Sequence, residues 1–168
     1  MPQNQQSALE PKVQFLSGVT LSDRVSNYNA PNTPCSEGTL VKVASDGATF
    51  ELCGNNNAQF ILEQACDAYG ALGSAANREK YLQGIPQRTV KTSTPITAYP
   101  LKSGMIIWTT VIATGTETGA LRPETVTPGT TEVEAYNGKF RALQAGNDPI
   151  GVCVSDVDDR GGVKILIY

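Results

Sequence analysis

The chain has 168 residues, 40% hydrophobic and only 17% charged, with Gly, Thr, Ser, Asn and Ala filling the difference, the balance of a turn-rich, small-residue β protein rather than a helical bundle. A net charge of −3, with 13 Lys plus Arg scattered singly, excludes the basic stripe that sequence-independent nucleic-acid binding needs, and no apolar run reaches the length of a membrane span. The lack of histidine removes Ser-His-Asp and Cys-His catalysis and every His metal ligand.

Residues 1–33 read as an extended N-terminal arm. Gln, Asn, Ser and Pro dominate, and Asn27-Tyr28-Asn29-Ala30-Pro31-Asn32-Thr33-Pro34 does not sustain regular structure. Within it, Val13, Phe15 and Leu16, then Val19 and Leu21, are apolar enough to pack on something. Two readings stand side by side: a tail draped over its own domain, or a segment that orders on a partner by adding a strand or filling a groove.

The domain proper is expected over 34–168. Pro34 to Gly38 is a turn feeding the strand Thr39–Val43, Asp46-Gly47 is a hairpin signal, and Ala48–Cys53 is the returning strand. Phe60-Ile61-Leu62 is a further short apolar run. From Glu63 to Gly84 the pattern changes: Ala65, Ala68 and Tyr69 fit one helical face, and Ala75–Gln83 fits about two turns ending at Gly84. Strands resume at Arg88–Lys91 and Ile96–Tyr99. Met105–Ile112 is the strongest strand pattern, apolar on both faces, so Met105, Ile107 and Trp108 are expected in core or intersubunit packing, core before interface. Residues 113–131, rich in Thr, Gly, Pro and Glu, read as an exposed loop.

The close of the chain has the cleanest signals. Ile150, Val152 and Val154, then Val163, Ile165 and Ile167, are spaced two apart, and Asn137-Gly138, Gly146-Asn147-Asp148-Pro149 and Asp158–Gly162 supply the turns. Tyr168 ends the chain on an aromatic, as a strand tied into a sheet would. A repeat links the two halves, 34–68 and 100–168. Pro34-x-x-x-Gly38-Thr39-Leu40-Val41 matches Pro100-x-x-x-Gly104-Met105-Ile106-Ile107, and Asp46-Gly47 before Phe50 matches Asn137-Gly138 before Phe140, with Phe60 and Ile150 following. The fold class expected is therefore mainly β: a compact small-residue β-barrel or β-tulip-like body with one or two short helices and the extended arm.

No residue cluster points to chemistry, and the expectation is a non-enzyme without cofactor or metal. Asp156, Asp158 and Asp159 sit in a Gly-flanked turn, where Asp is ordinary turn chemistry, and Gly115–Gly119 lacks the Lys and helix of a phosphate loop. Cys35, Cys53, Cys66 and Cys153 contain no CxxC pair. Without the basic-then-apolar order of a signal peptide they are read as reduced, buried small hydrophobes, a Cys35–Cys53 bridge remaining open in an oxidising medium.

Gly138-Lys139-Phe140, then Pro149-Ile150-Gly151-Val152 and the final strand Val163–Ile167, resemble the close of the small head-decoration (cement) proteins of tailed bacteriophages, the lambda-like decoration group. Gly38-Thr39-Leu40-Val41 and Gly104-Met105-Ile106-Ile107 are similar to another strand of that group. The resemblance covers roughly residues 34–62 and 100–168. It implies a homotrimer on the outer capsid surface of the virion, assembled in the host cytoplasm. Its partner would be the major capsid protein, against which the arm, through Val13, Phe15, Leu16, Val19 and Leu21, becomes ordered, with no nucleic acid and no membrane involved. Two alternatives belong to other classes: a tail-tube, baseplate or other virion module using 113–131 as its intersubunit loop, and a carbohydrate-binding β domain stacking sugars on Trp108 and Tyr99.

Overall fold

The computed structural model describes residues 11–70 and 89–168. Its strands are β1 (Val13–Ser17), β2 (Val25–Asn29), β3 (Leu40–Val43), β4 (Phe50–Leu52), β5 (Phe60–Leu62), β6 (Ala65–Asp67), β7 (Thr89–Lys91), β8 (Pro95–Pro100), β9 (Ile106–Thr109), β10 (Glu132–Tyr136), β11 (Lys139–Ala142), β12 (Gly151–Cys153) and β13 (Val163–Ile167). The one helical element among the described residues is a 3-10 turn, Leu21–Asp23. The mainly β class expected from composition holds. Of the expected helices, the face through Ala65, Ala68 and Tyr69 is not formed: Ala65–Asp67 is a strand parallel to Thr89–Lys91, with Cys66 bonded to the backbone of Cys35. The helix expected over 75–83 lies outside the described residues.

Two main sheets share one connectivity. The first runs in the order β2-β8-β5-β3-β4, and the second runs β9-β13-β12-β10-β11, with β1 added outside β9. Taken in chain order, β2, β3, β4, β5 and β8 therefore correspond to β9, β10, β11, β12 and β13. The register agrees as well. Val41 faces Leu52 and Phe60 in the first sheet, and Val133 faces Ala142 and Gly151 in the second. Phe60 then faces Pro100 as Gly151 faces Ile167. Each sheet also curls until a parallel bridge joins its ends, Asn29 to Thr49 in one and Ile112 to Phe140 in the other. These are two small barrels with the same wiring.

The two ladders repeat each other, with corrections to the repeat read from the sequence: the first unit runs from β2 to β8 rather than over 34–68, and the counterpart of Phe60 is Gly151 rather than Ile150. Phe50 and Phe140 are true counterparts, both fully buried after a tight hairpin. The strand after Gly104, however, matches β2 and not β3, because β13 separates β9 from β12 just as β8 separates β2 from β5. The Gly-hydrophobic pattern preceding β3 and β9 marks similar turns at different places in the barrel.

The arm reading also needs correction, since residues 13–29 belong to the body. Val13–Ser17 pairs antiparallel with Ile106–Thr109, and Val25–Asn29 pairs with Pro95–Pro100. Gly18 makes the passage between them possible. It has φ +73, and a Cβ there would lie 2.8 Å from the Gly104 carbonyl oxygen, so a side chain would push the two backbones apart. Asp23 pairs with Lys102, and Arg24 lies 3.4 Å from Glu63. Polar composition hid this because an edge strand needs apolar contacts on one face only.

The barrels meet through the β10–β11 hairpin. Asn137 and Gly138, both at positive φ, form its tip, and their amides bond the carbonyls of Gly54 and Cys53, while the Leu40 amide bonds the Gly138 carbonyl. The larger core lies mostly within the second barrel but takes in Leu40, Cys53, Ile61 and Tyr99 from the first. A smaller core, with Phe50, Leu62 and Ile96, fills the other side of the first barrel, where Tyr28, Phe50 and Phe60 stack at tilted angles.

Candidate functional site

The five apolar residues expected to grip a partner divide sharply. Val13 is in the core at 3% exposure. Phe15 packs its ring against Tyr99 with centroids 4.5 Å apart, and Val19 lies half-buried against the same core. Leu16 and Leu21 remain, at 45% and 78% exposure. Leu16 lies at an irregularity of the β1 ladder, where the register shifts between Phe15 and Ser17, and is exposed, while the 3-10 turn holds Leu21 on its outer side, with the Thr20 amide bonded to the Asp23 carboxylate at 3.0 Å. Lys102 and Thr20 hold the Asp23 carboxyl below the usual range. Beyond these leucines, β1 ends its sheet: it is hydrogen-bonded to β9 on one side and to no strand on the other among the described residues. The two exposed leucines, together with the edge of β1 that carries no further strand among the described residues, are the candidate contact features of the N-terminal segment.

Met105, Ile107 and Trp108 all sit in the interior, at 1%, 0% and 3% exposure. Trp108 is enclosed by the Asp158–Gly162 turn. Its ring N–H donates to Asp158 Oδ2 at 2.7 Å, and the Arg160 guanidinium lies 4.3 Å from the ring centroid. A Cβ on Gly162 would fall 2.2 Å from the indole, so only glycine allows the turn to close over it. Asp158 Oδ1 accepts from the amides of Arg160 and Gly162. Burial lifts the Asp158 carboxyl, but those amides, the indole N–H and the Arg160 charge outweigh it and leave the group below its ordinary value. Of the three aspartates, Asp158 closes the turn over the tryptophan. With Trp108 and Tyr99 both buried, the aromatic platform that sugar stacking requires is not formed.

The Thr-rich loop is also more integrated than its composition suggests. Leu121 and Val126 insert into the main core at 3% and 5% exposure. The Leu121 amide bonds the Ala113 carbonyl, the Ala142 amide bonds Gly119, and the Gly129 amide bonds Cys153. Threonine hydroxyls then satisfy the turns between, as where the Thr127 amide donates to Thr131 Oγ1 at 2.8 Å. Two well-placed apolar residues anchor a loop that has no periodicity to reveal them.

All four cysteines are unbridged. The Cys35–Cys53 bridge left open from the sequence is not the pairing the fold offers: Cys35 is paired with Cys66, whereas Cys53 and Cys153 lie in the main core. Burial pushes the Cys153 thiol up to about 11 and raises that of Cys53. Tyr69, expected on an apolar helical face, and Val154, expected on the apolar face of its strand, are instead exposed just past the ends of β6 and β12, where the alternation stops, and Tyr136, which carried no pattern, is exposed at the end of β10. The terminal Tyr168 is half exposed, its amide bonded to the Ile150 carbonyl and its hydroxyl donating to Glu132 at 3.1 Å.

Among the described residues no group of three or more Cys, Asp or Glu side chains is placed to hold a metal ion, and no helix is long and apolar enough to cross a membrane. Neither a protein-family model nor a curated protein sequence matches the chain.

Proposed function

We propose that this protein is a structural component of a virion, a decoration or cement protein that binds the outside of an expanded phage head and stabilises it. The observation that carries the reading is on the N-terminal segment: Leu16 and Leu21 are exposed, and β1 has an edge with no strand partner among the described residues. The resemblance of residues 137–167 to the close of decoration proteins supports it. The working partner is the major capsid protein, and the working assembly is a homotrimer. Such a fastener acts by mass action, binding the expanded lattice and not the unexpanded one, and symmetry multiplies modest contacts into large avidity.

The mode of attachment changes with the fold. A free arm that orders on the capsid is replaced by a preformed edge, so Val13, Phe15 and Val19 serve the body and Leu16 and Leu21 serve the partner. Removing residues 1–33 would then take β1 from the second barrel and β2 from the first, as well as the contact. The cleaner experiment is the double variant Leu16→Asp, Leu21→Asp, tested on heads stripped of this protein. Each leucine buried on binding is worth roughly 1.5–3 kcal/mol, so occupancy at limiting concentration should fall at least tenfold while the circular dichroism spectrum stays unchanged. Undiminished occupancy overturns the assignment. Sedimentation of the intact chain should give a trimer or a trimerising monomer, and a stable hexameric ring would point to a tail component instead.

A further inference from the structure

Cys35 lies just ahead of the turn that feeds β3, and Cys66 is the central residue of β6. Their backbones form a reciprocal antiparallel pair: the Cys35 amide bonds the Cys66 carbonyl at 2.9 Å, and the Cys66 amide bonds the Cys35 carbonyl at 2.8 Å. Such a pair holds its Cα atoms about 5.5 Å apart with both side chains on one face, inside the roughly 4.4–6.8 Å that a disulfide spans. The two thiols converge. Both S–H groups point at one acceptor, the Thr33 carbonyl oxygen, at 3.4 and 3.5 Å. The mutual influence of the two thiols lowers Cys66 and, with burial, raises Cys35. Cys35 is half-buried and so reachable from solvent, whereas Cys66 is covered. Cys53 and Cys153 are covered in the separate main core and kept as thiols by burial.

We propose that Cys35 and Cys66 are a redox-responsive pair that closes to a disulfide when the protein leaves a reducing compartment for an oxidising one, and that this bridge staples β6 to the start of β3. The oxidant is a small disulfide such as oxidised glutathione. Cys35, the half-buried thiol, loses its proton to water and its thiolate attacks one glutathione sulfur, the glutathione S–S bond breaks, and the first glutathione leaves as a thiolate that takes up that proton. The Cys66 sulfur, losing its proton, then attacks Cys35, the mixed disulfide breaks, and the second glutathione leaves as a thiol. Two protein thiols are oxidised, one glutathione disulfide is reduced, and both protons end on glutathione. The bridge closes a loop of about 30 residues, and constraining the unfolded chain that way should raise the Tm by roughly 5–10 °C. The proposal is independent of the virion reading, since it rests only on the placement of two thiols.

The test uses the full chain, purified reduced and equilibrated with an excess of oxidised glutathione. Intact mass should fall by two hydrogen atoms, alkylation and peptide mapping should recover one linked peptide joining Cys35 to Cys66, and Cys53 and Cys153 should alkylate only after unfolding. The Tm should rise, and reductant should reverse the rise. In Cys66→Ser the reaction should stop at glutathione on Cys35, and in Cys35→Ser neither the mass change nor the Tm shift should occur. Should a serine variant fail to fold, the wild-type peptide map decides by itself. Free thiols at both positions after oxidation, a wild-type product arrested at the mixed disulfide, or a linkage between any other pair overturns the proposal.

Discussion

The two barrels carry an ion pair at the same place in the same ladder, with the charges exchanged. In the first, Lys42 on β3 faces Glu51 on β4, 2.9 Å apart. In the second, Glu134 on β10 faces Arg141 on β11, 2.7 Å apart. Their surroundings differ completely. The Lys42 and Glu51 side chains are 32% and 48% exposed, whereas those of Glu134 and Arg141 are 0% and 10%. Arg141 also lies over the Tyr136 ring, 3.7 Å from its centroid, and the Gln144 amide reaches the second Glu134 oxygen. Equal geometry therefore carries unequal consequences: a solvated pair gains little over two hydrated ions, while a dry pair leaves an uncompensated charge if either member goes.

The largest effect that would test this contrast is Arg141→Ala. It strands the Glu134 carboxylate in the interior and should cost about 3–5 kcal/mol, read as a lowered urea midpoint with unchanged slope; a loss no greater than that at the exposed pair would erase the distinction. The second comparison is steric. Gly151 occupies the ladder position that Phe60 fills in the first barrel, and a Cβ there would lie 2.5 Å from the Leu166 carbonyl oxygen. Gly151→Ala should accordingly cost about 1–3 kcal/mol, measured the same way, although the first barrel holds a phenylalanine at the counterpart. Smallest is Lys42→Ala, expected to change stability by about 0.2–1 kcal/mol. Double-mutant cycles on the two pairs sharpen the point, since the coupling energy should be clearly larger for Glu134 with Arg141.

The Glu134 example also explains which strands can be read from the chain alone. Strands β3, β4, β5, β12 and β13 announce themselves through Val, Ile, Leu and Phe between turn residues. Strand β10, Glu132-Val133-Glu134-Ala135-Tyr136, does not, because its inward glutamate is tolerated only by a partner that arrives from β11. Strands β1 and β2 were hidden for the opposite reason: few of their residues are buried, and the pairing that orders them comes from β9 and β8, about 90 and 70 residues further along. Leu121 and Val126 went unseen because single anchors in a loop carry no period.

What the sequence determined by itself was therefore local: β character from small and branched residues, hairpins at Asp46-Gly47 and Asn137-Gly138, and the matched phenylalanines that follow them. Turn residues and alternation act over a handful of neighbours, so they need no folded context. The tertiary structure alone decided which apolar residues of the N-terminal segment stay outside, which cysteine meets which, and which of two equivalent ion pairs is dry. Each depends on a segment distant in sequence covering a surface, and coverage is a property of the assembled molecule rather than of any stretch within it.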